Sequence, residues 1–238
     1  MGDPMREAQE EALRVDGDGY HSRNHPGIGT IADPAFEALA LIHQVRPVTS
    51  VLEIGCTTGF RLEKARVAFG SRGVGLEVSP AAVAEGSSLY PSLDLRVGVA
   101  PRDLSLWAGE SFDVVIVGHF QYLLPREDLF SLAAAVDALL SPGGHLIVED
   151  FLHPHPVSSD YRHHEDLRVF KHDPSAPWLW SPTYTLVSRR VYDVSEDAAS
   201  CVDPRAWQTV DVLRKLTVSE AYPAAPTLPS VHSRPDDA

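Results

Sequence analysis

The sequence predicts an α/β fold in which a largely parallel sheet is covered by helices on both faces. Three observations carry that reading. Short apolar runs alternate with stretches of helical periodicity from residue 33 to residue 150. Val114-Val115-Ile116-Val117 is apolar at every position, as in a strand buried on both faces. VLEIGCTTG at 51–59 reads as a strand, a glycine turn and the start of a helix.

Residues 1–14 read as a polar helix opened by Asp3-Pro4. Residues 15–31, rich in Gly and His, read as an irregular arm, with Tyr20 and His21 as candidates for a ligand lid. Asp33-Pro34 starts a helix through about Val45 that Pro47 ends. After the strand at 51–54 comes a helix over 60–69. A strand follows at Gly73 to Val78, then a short helix opened by Ser79-Pro80, then a strand at Leu93 to Val99. The apolar run at 114–117 is the fourth strand. A helix extends from Pro125 to about Leu140, Ser141-Pro142-Gly143-Gly144 is a sharp stop, and Leu146-Ile147-Val148 is a fifth strand ending at Glu149-Asp150.

The pattern changes at residue 151. The stretch 151–183, crowded with Pro, His and aromatic residues, has no clear periodicity and is longer than an ordinary connection, so it reads as an irregular, substrate-covering lid insertion. Tyr184 to Tyr192 and Trp207 to Leu213 read as two late strands pairing antiparallel at one sheet edge. Residues 223–238 read as a disordered tail. The expected organisation is thus an arm over 1–32, one domain over 33–222 and a tail.

Composition excludes several classes. The net charge of −13 repels phosphate backbones, which argues against nucleic acid as partner. Two cysteines, Cys56 and Cys201, supply no disulfide framework and point to a reducing, cytoplasmic setting. No apolar run reaches membrane-spanning length, and the acidic start MGDPMREAQEE is not a signal peptide.

In the turn at 55–59, glycine removes the Cβ atoms that would stand where a ligand lies, and the N–H groups opening the next helix can meet a polar or anionic group. The Gly-x-Gly-x-x-Gly pattern of nicotinamide sites is absent; the pattern here is Glu-x-Gly-x-x-x-Gly. VLEIGCTTG, Glu77 in GVGLEV, SFDVVIVGHFQYL and LLSPGGHLIVEDF occur in this order and spacing. Together they resemble the class I S-adenosylmethionine-dependent methyltransferases over roughly residues 30–222.

The resemblance implies a doubly wound, mostly parallel seven-stranded sheet with an antiparallel last strand, and S-adenosylmethionine as cofactor. It also implies a small-molecule acceptor, since no recognition domain for nucleic acid is attached. Glu53, Gly55, Cys56, Thr57 and Gly59 would hold the amino-acid end of the cofactor. Glu77, with Val78 beside it, would hold the ribose hydroxyls. Ala100 and Pro101 would lie at the adenine, Gly118 and His119 beside the sulfonium, and Tyr20 over the cofactor. Two positions depart from the family: Thr57 stands where glycine is common, and Val99 where Asp is frequent, a contact that Asp103 or a backbone group would replace.

Methyl transfer needs alignment of nucleophile, methyl carbon and sulfur, and removal of a proton where the nucleophile carries one. His119 is the expected proton acceptor. Tyr122, Tyr161, His163 and Trp178 are the expected acceptor contacts. Five histidines, His153, His155, His163, His164 and His172, fall within the insertion. A solvated lid, acceptor binding, or a metal completed by Asp150, Asp160 or Glu165 all account for them; no zinc spacing is matched, and no metal is expected. The expected activity is methyl transfer to an oxygen or nitrogen of a specialised metabolite by a monomer or homodimer. The alternatives are a non-catalytic binding protein of the same fold and a nicotinamide oxidoreductase, the latter disfavoured by the glycine pattern.

Overall fold

The computed structural model describes residues 4–24, 33–193 and 203–224. The expected Pro-opened helices form as read. Helix α2 (Pro34–Val45) starts at Asp33, whose side chain accepts from Phe36 N at 3.0 Å, and α4 (Pro80–Leu89) starts at Ser79, whose hydroxyl accepts from Ala82 N at 3.0 Å. Between them lie β1 (Ser50–Ile54), α3 (Phe60–Phe69) and β2 (Arg72–Glu77). The chain continues through β3 (Asp94–Val97), β4 (Phe112–Gly118), α5 (Leu129–Leu139) and β5 (Leu140–Phe151).

One seven-stranded sheet organises these elements. Its order is β3-β2-β1-β4-β5, all parallel, followed by β9 (Trp207–Lys215) and β8 (Tyr184–Asp193). β9 runs antiparallel between β5 and β8, with Ile147 opposite Val212 and Arg190 opposite Val210. Alternation along each strand divides the core in two. Leu52, Val115, Val117 and Val148 face α5 and Trp178; Val51, Val114, Ile116 and Ile147 face α2, α3 and α4. Val114 to Val117 are fully buried, so each of these side chains contributes roughly 1.5–3 kcal/mol.

Several expectations are corrected. Helix α1 (Pro4–Asn24) runs on through residues 15–24, the described part of the stretch expected to be irregular. Gly17 marks a close contact there and does not break the helix: a Cβ on it would stand 2.7 Å from the Val78 side chain. The 125–140 helix begins with a 3-10 turn at Arg126–Asp128 before α5. The helix stops at Leu139 as expected, but Ser141-Pro142-Gly143-Gly144 is the first part of β5, which enters the sheet through a register shift against β4. The insertion is also more regular than its sequence, holding a hairpin of β6 (Val157–Asp160) and β7 (Arg168–Lys171) and the short helix α6 (Ala176–Leu179). Helix α7 (Val218–Ala221), opened by a Thr217/Glu220 capping box, is the last described element.

Residues 25–32 of the expected arm, 194–202 of the late connection, including Cys201, and 225–238 of the expected tail lie outside the described residues. Among the described residues, no helix is long and apolar enough to cross a membrane.

Candidate functional site

Strand order reverses between β1 and β4, where crevices form at the carboxyl ends of parallel strands. A cavity of about 220 Å³ opens there, walled by the ends of β1, β2 and β4 and roofed by Leu13, Asp16, Gly17 and Tyr20 of α1. Ten predicted residues line it: Tyr20, Glu53, Gly55, Thr57, Glu77, Val78, Ala100, Gly118, His119 and Tyr122.

The turn after β1 is left-handed at three places: Gly55 (φ 80°), Thr57 (φ 50°) and Gly59 (φ 77°). Both glycines are required by the neighbouring chain. A Cβ on Gly55 would lie 2.5 Å from the Gly118 carbonyl, and one on Gly59 would press on Leu93 and Leu95 at 3.0 Å. Thr57 takes the same conformation with a branched side chain, a strained state. Its N–H donates to Glu77 Oε2 at 2.9 Å, while its buried Oγ1 has no partner. Cys56 turns away: its thiol packs on Gly75, and burial pushes its pKa well up. Neither Cys56, Gly59 nor Pro101 lines the cavity.

Glu77 ends β2 and accepts from Thr57 N and Ser79 N, both at 2.9 Å. Burial still raises its pKa, against those N–H bonds. A carboxylate offers about four lone-pair sites, so two remain for a ligand.

Arg61, in the first turn of α3, was not foreseen. Its Nη1 donates to Glu53 Oε1 at 2.5 Å, its Nη2 to Glu149 Oε2 at 2.9 Å and its Nε to Asp33 Oδ1 at 2.9 Å, all between side chains at most 10% exposed. Burial opposes its charge, but Glu53, Glu149 and Asp33 together raise its pKa. Three acids share this guanidinium, and burial pushes Glu53 up to about 7 despite the pairing. Glu53 Oε2 is buried without a partner. Glu149 also accepts from the Tyr192 hydroxyl at 2.9 Å.

At the end of β4, His119 has φ 51° and its N–H donates to the Glu149 carbonyl at 2.7 Å. Its Nε2 lies 3.8 Å from Glu149 Oε1. Phe151 stands edge-on to His119 and Tyr122, with centroids 6.1 Å and 4.9 Å away. Asp150 pins this corner, accepting from Gln121 N at 2.8 Å and Phe151 N at 2.6 Å; burial raises its pKa to about 6.

The other predicted acceptor contacts stand apart from the cavity wall. Tyr161 lies behind Tyr122, with ring centroids 6.2 Å apart, and His163 packs on Tyr161 from outside. Trp178 is 2% exposed in the core beside Tyr184, held there by the burial of its large indole. The insertion reaches the site through Leu167 and Val169, which pack with Ala12, Tyr122 and Leu123. α1 is fastened by Asp18 Oδ1, accepting from the Ser79 hydroxyl at 2.5 Å and Ala81 N at 3.3 Å, by His21 against Glu85 at 2.9 Å, and by Arg102 to Glu10.

Among the described residues, no group of three or more His, Cys, Asp or Glu side chains is arranged to hold a metal ion. His153 Nδ1 instead contacts the His155 carbonyl at 2.6 Å, and His163 Nε2 accepts from Arg162 at 2.8 Å.

Residues 51–144 match the family model of a methyltransferase domain. No curated protein sequence matches the chain. Among solved structures, the chain is similar to the 1,6-didemethyltoxoflavin-N1-methyltransferase of Burkholderia thailandensis, solved with 1,6-didemethyltoxoflavin and S-adenosylhomocysteine. That likeness has 20% identity, a TM-score of 0.62, and covers 91% of this chain and 92% of that one. It is also similar to the N-methyltransferase NodS of Bradyrhizobium japonicum, solved with S-adenosylhomocysteine (17%, TM-score 0.60, 90% and 99% covered). A third likeness is to CalS10, an amino pentose methyltransferase of Micromonospora echinaspora (17%, TM-score 0.58, 82% and 96% covered). Sheet order, the matched domain and these likenesses give the chain the class I, Rossmann-like fold of S-adenosylmethionine-dependent methyltransferases.

Proposed function

We propose that the protein binds S-adenosylmethionine in this cavity and transfers its methyl group to an oxygen or nitrogen of a small molecule, a specialised metabolite. The observation that carries the reading is the set of open acceptors in the wall. Glu53 Oε2 and Thr57 Oγ1 are buried without partners, and Glu77 keeps free lone pairs. A cofactor with an ammonium, a carboxylate and a ribose diol satisfies them. Glu53 would take the ammonium, the Thr57 hydroxyl the carboxylate, and Glu77 the diol. Leu76, Val99 and Ala100 offer apolar wall for the adenine, and Tyr20 would close over the cofactor.

Bound S-adenosylmethionine supplies a methyl group activated on a sulfonium. The chain's own tasks are orientation and proton handling. Gly118 and His119 form the wall where β4 ends, and the His119 imidazole can take a proton from the acceptor. Tyr122 orients the acceptor, while Tyr161 and His163 act through Tyr122 and the insertion rather than by contact. The carboxylates and the overall charge of −13 favour a small molecule over nucleic acid.

Calorimetry tests the cofactor. S-adenosylmethionine or its demethylated product should bind with micromolar-range affinity, and NAD should not. Tight NAD binding with no response to the adenosyl ligands overturns the reading; cofactor binding without methyl transfer to any acceptor favours a non-catalytic protein.

A further inference from the structure

We propose that Asp16 makes this site selective for an amine, so that the methyl group is placed on nitrogen; this rests on the methyl-transfer reading above. The cavity wall carries Asp16, Glu53, Glu77 and Glu149 against the guanidinium of Arg61. Three of those acids are engaged within the fold, and the open positions on Glu53 and Glu77 are taken by the proposed cofactor. Glu53 and Glu149 hold Arg61, and Glu77 holds two backbone N–H groups. Asp16 is held differently. Its side chain is 6% exposed, and its ion pair is one long contact of 3.3 Å from Arg23, whose own side chain is 39% exposed. A buried carboxylate so loosely paired is costly unless another cation arrives.

What surrounds Asp16 places it on the acceptor side. Ala12, one helical turn before it on α1, packs with Tyr122, Leu167 and Val169, and Tyr161 packs against the same group, its ring centroid 6.2 Å from that of Tyr122. Tyr122 lines the cavity together with His119, and both meet the ring of Phe151. The face of α1 that carries Asp16 thus stands over Tyr122 and Tyr161, and Asp16, Tyr122 and His119 share one cavity wall. Arg23 and His163 stand on its outer side.

The charge balance of the reaction gives this placement a use. An amine enters neutral, its proton having passed to His119 or to water, and its lone pair forms the N–C bond. The S–C bond breaks, its electron pair stays on sulfur, and the positive charge moves from sulfur to nitrogen. The product ammonium then loses its proton. An alcohol loses its proton to His119 in the same event, so the positive charge ends on the imidazole and none develops on the acceptor. A desolvated carboxylate therefore stabilises the transition state of the amine and gives the alcohol nothing comparable. A phosphorylated or carboxylated reacting end would meet like charge.

The test uses a matched panel of small sugars and aromatic compounds, each as the amine and as the corresponding alcohol. Release of the demethylated cofactor gives KM and kcat, and calorimetry gives cofactor affinity. Amines should be turned over in preference to their alcohols. Asp16→Asn should lower the amine kcat about 10- to 100-fold with KM and cofactor affinity nearly unchanged, the scale of a charge-assisted hydrogen bond made only in the transition state. Arg23→Ala, which removes the competing cation, should leave the amine kcat unchanged or raise it. Turnover of the alcohols alone, or of neither series by a protein that binds the cofactor, overturns the amine assignment. So does an Arg23→Ala defect equal to that of Asp16→Asn, which would make their pair only a fastening of α1. Failure to bind the cofactor defeats the methyl-transfer reading itself.

Discussion

Arg61 Nη1 lies 2.5 Å from Glu53 Oε1, joining the first turn of α3 to the strand it follows. The same guanidinium holds Glu149 on β5 and Asp33 at the cap of α2, so one side chain ties four elements beneath the cavity. Removing it leaves three buried carboxylates without their shared cation, and Lys64, 3.6 Å from Asp33, reaches one of them. Arg61→Ala is therefore expected to destabilise the fold by about 3–5 kcal/mol. Arg61→Lys should recover part of the loss, since an ammonium cannot reproduce the planar fork. Urea denaturation measures both; a loss under about 1 kcal/mol would mean that the acids are held in some other way.

Glu53 gives the site a pH dependence. Its folded pKa of about 7 lies above the ordinary 4.5, so the stability it contributes is complete below the latter value and is lost as pH rises through the former. Ligand binding runs the other way, because an ammonium prefers the ionised form. Cofactor affinity should tighten up to about tenfold per pH unit below 7 and level off above it. Calorimetry at stepped pH reads this directly. Glu53→Gln should flatten the profile, and an unchanged slope in that variant would remove Glu53 from the ammonium site.

Thr57 is expected to separate stability from binding. Thr57→Gly relieves a positive-φ strain of order 1–3 kcal/mol while loosening the unfolded chain by about 0.4–1 kcal/mol, for a net gain near 1 kcal/mol. The same change removes the partnerless hydroxyl, so cofactor affinity should fall as Tm rises. Parallel changes in both would argue that Oγ1 makes no contact with the ligand.

For His119, the expected signature is a kcat loss of roughly 10²–10⁴-fold in His119→Ala at neutral pH, with cofactor affinity preserved. Against an amine the defect should shrink as pH rises and the acceptor loses its proton unaided. A loss that is constant across pH would make His119 a packing residue at the end of β4.

The fold was legible where local chemistry and tertiary demand agree. Asp33-Pro34 and Ser79-Pro80 are caps in sequence and in structure, and Val114 to Val117 are as buried as their composition implies. Helix α1 was misread past residue 14 because Gly17 and Gly19 look like breakers. In fact Gly17 lets the helix approach Val78. The hairpin escaped notice because Val157–Asp160 is exposed along its length and carries no alternating pattern. Arg61 sits among charges in FRLEK and reads as a solvated helix face; the acids that bury it arrive from β1, β5 and the start of α2. Strand-end acids were visible, and Glu149 carries the same signal as Glu77. Trp178 misled in the opposite direction, since an aromatic residue in a lid-like sequence is equally what a core requires.

During synthesis, β9 emerges after every other strand of the sheet, yet its place is between β5 and β8. Until residues 207–215 have left the ribosome, β5 has an open hydrogen-bonding edge and β8 has no partner in the sheet. Glu149 lies on that edge, and the hydroxyl that steadies it comes from Tyr192 on β8. The nascent chain therefore passes through a stage with every other strand of the sheet made and a sticky β edge exposed. A stop codon or proteolytic nick just before β9 would leave a fragment bound for aggregation or chaperones, with the carboxylate wall of the cavity unfinished.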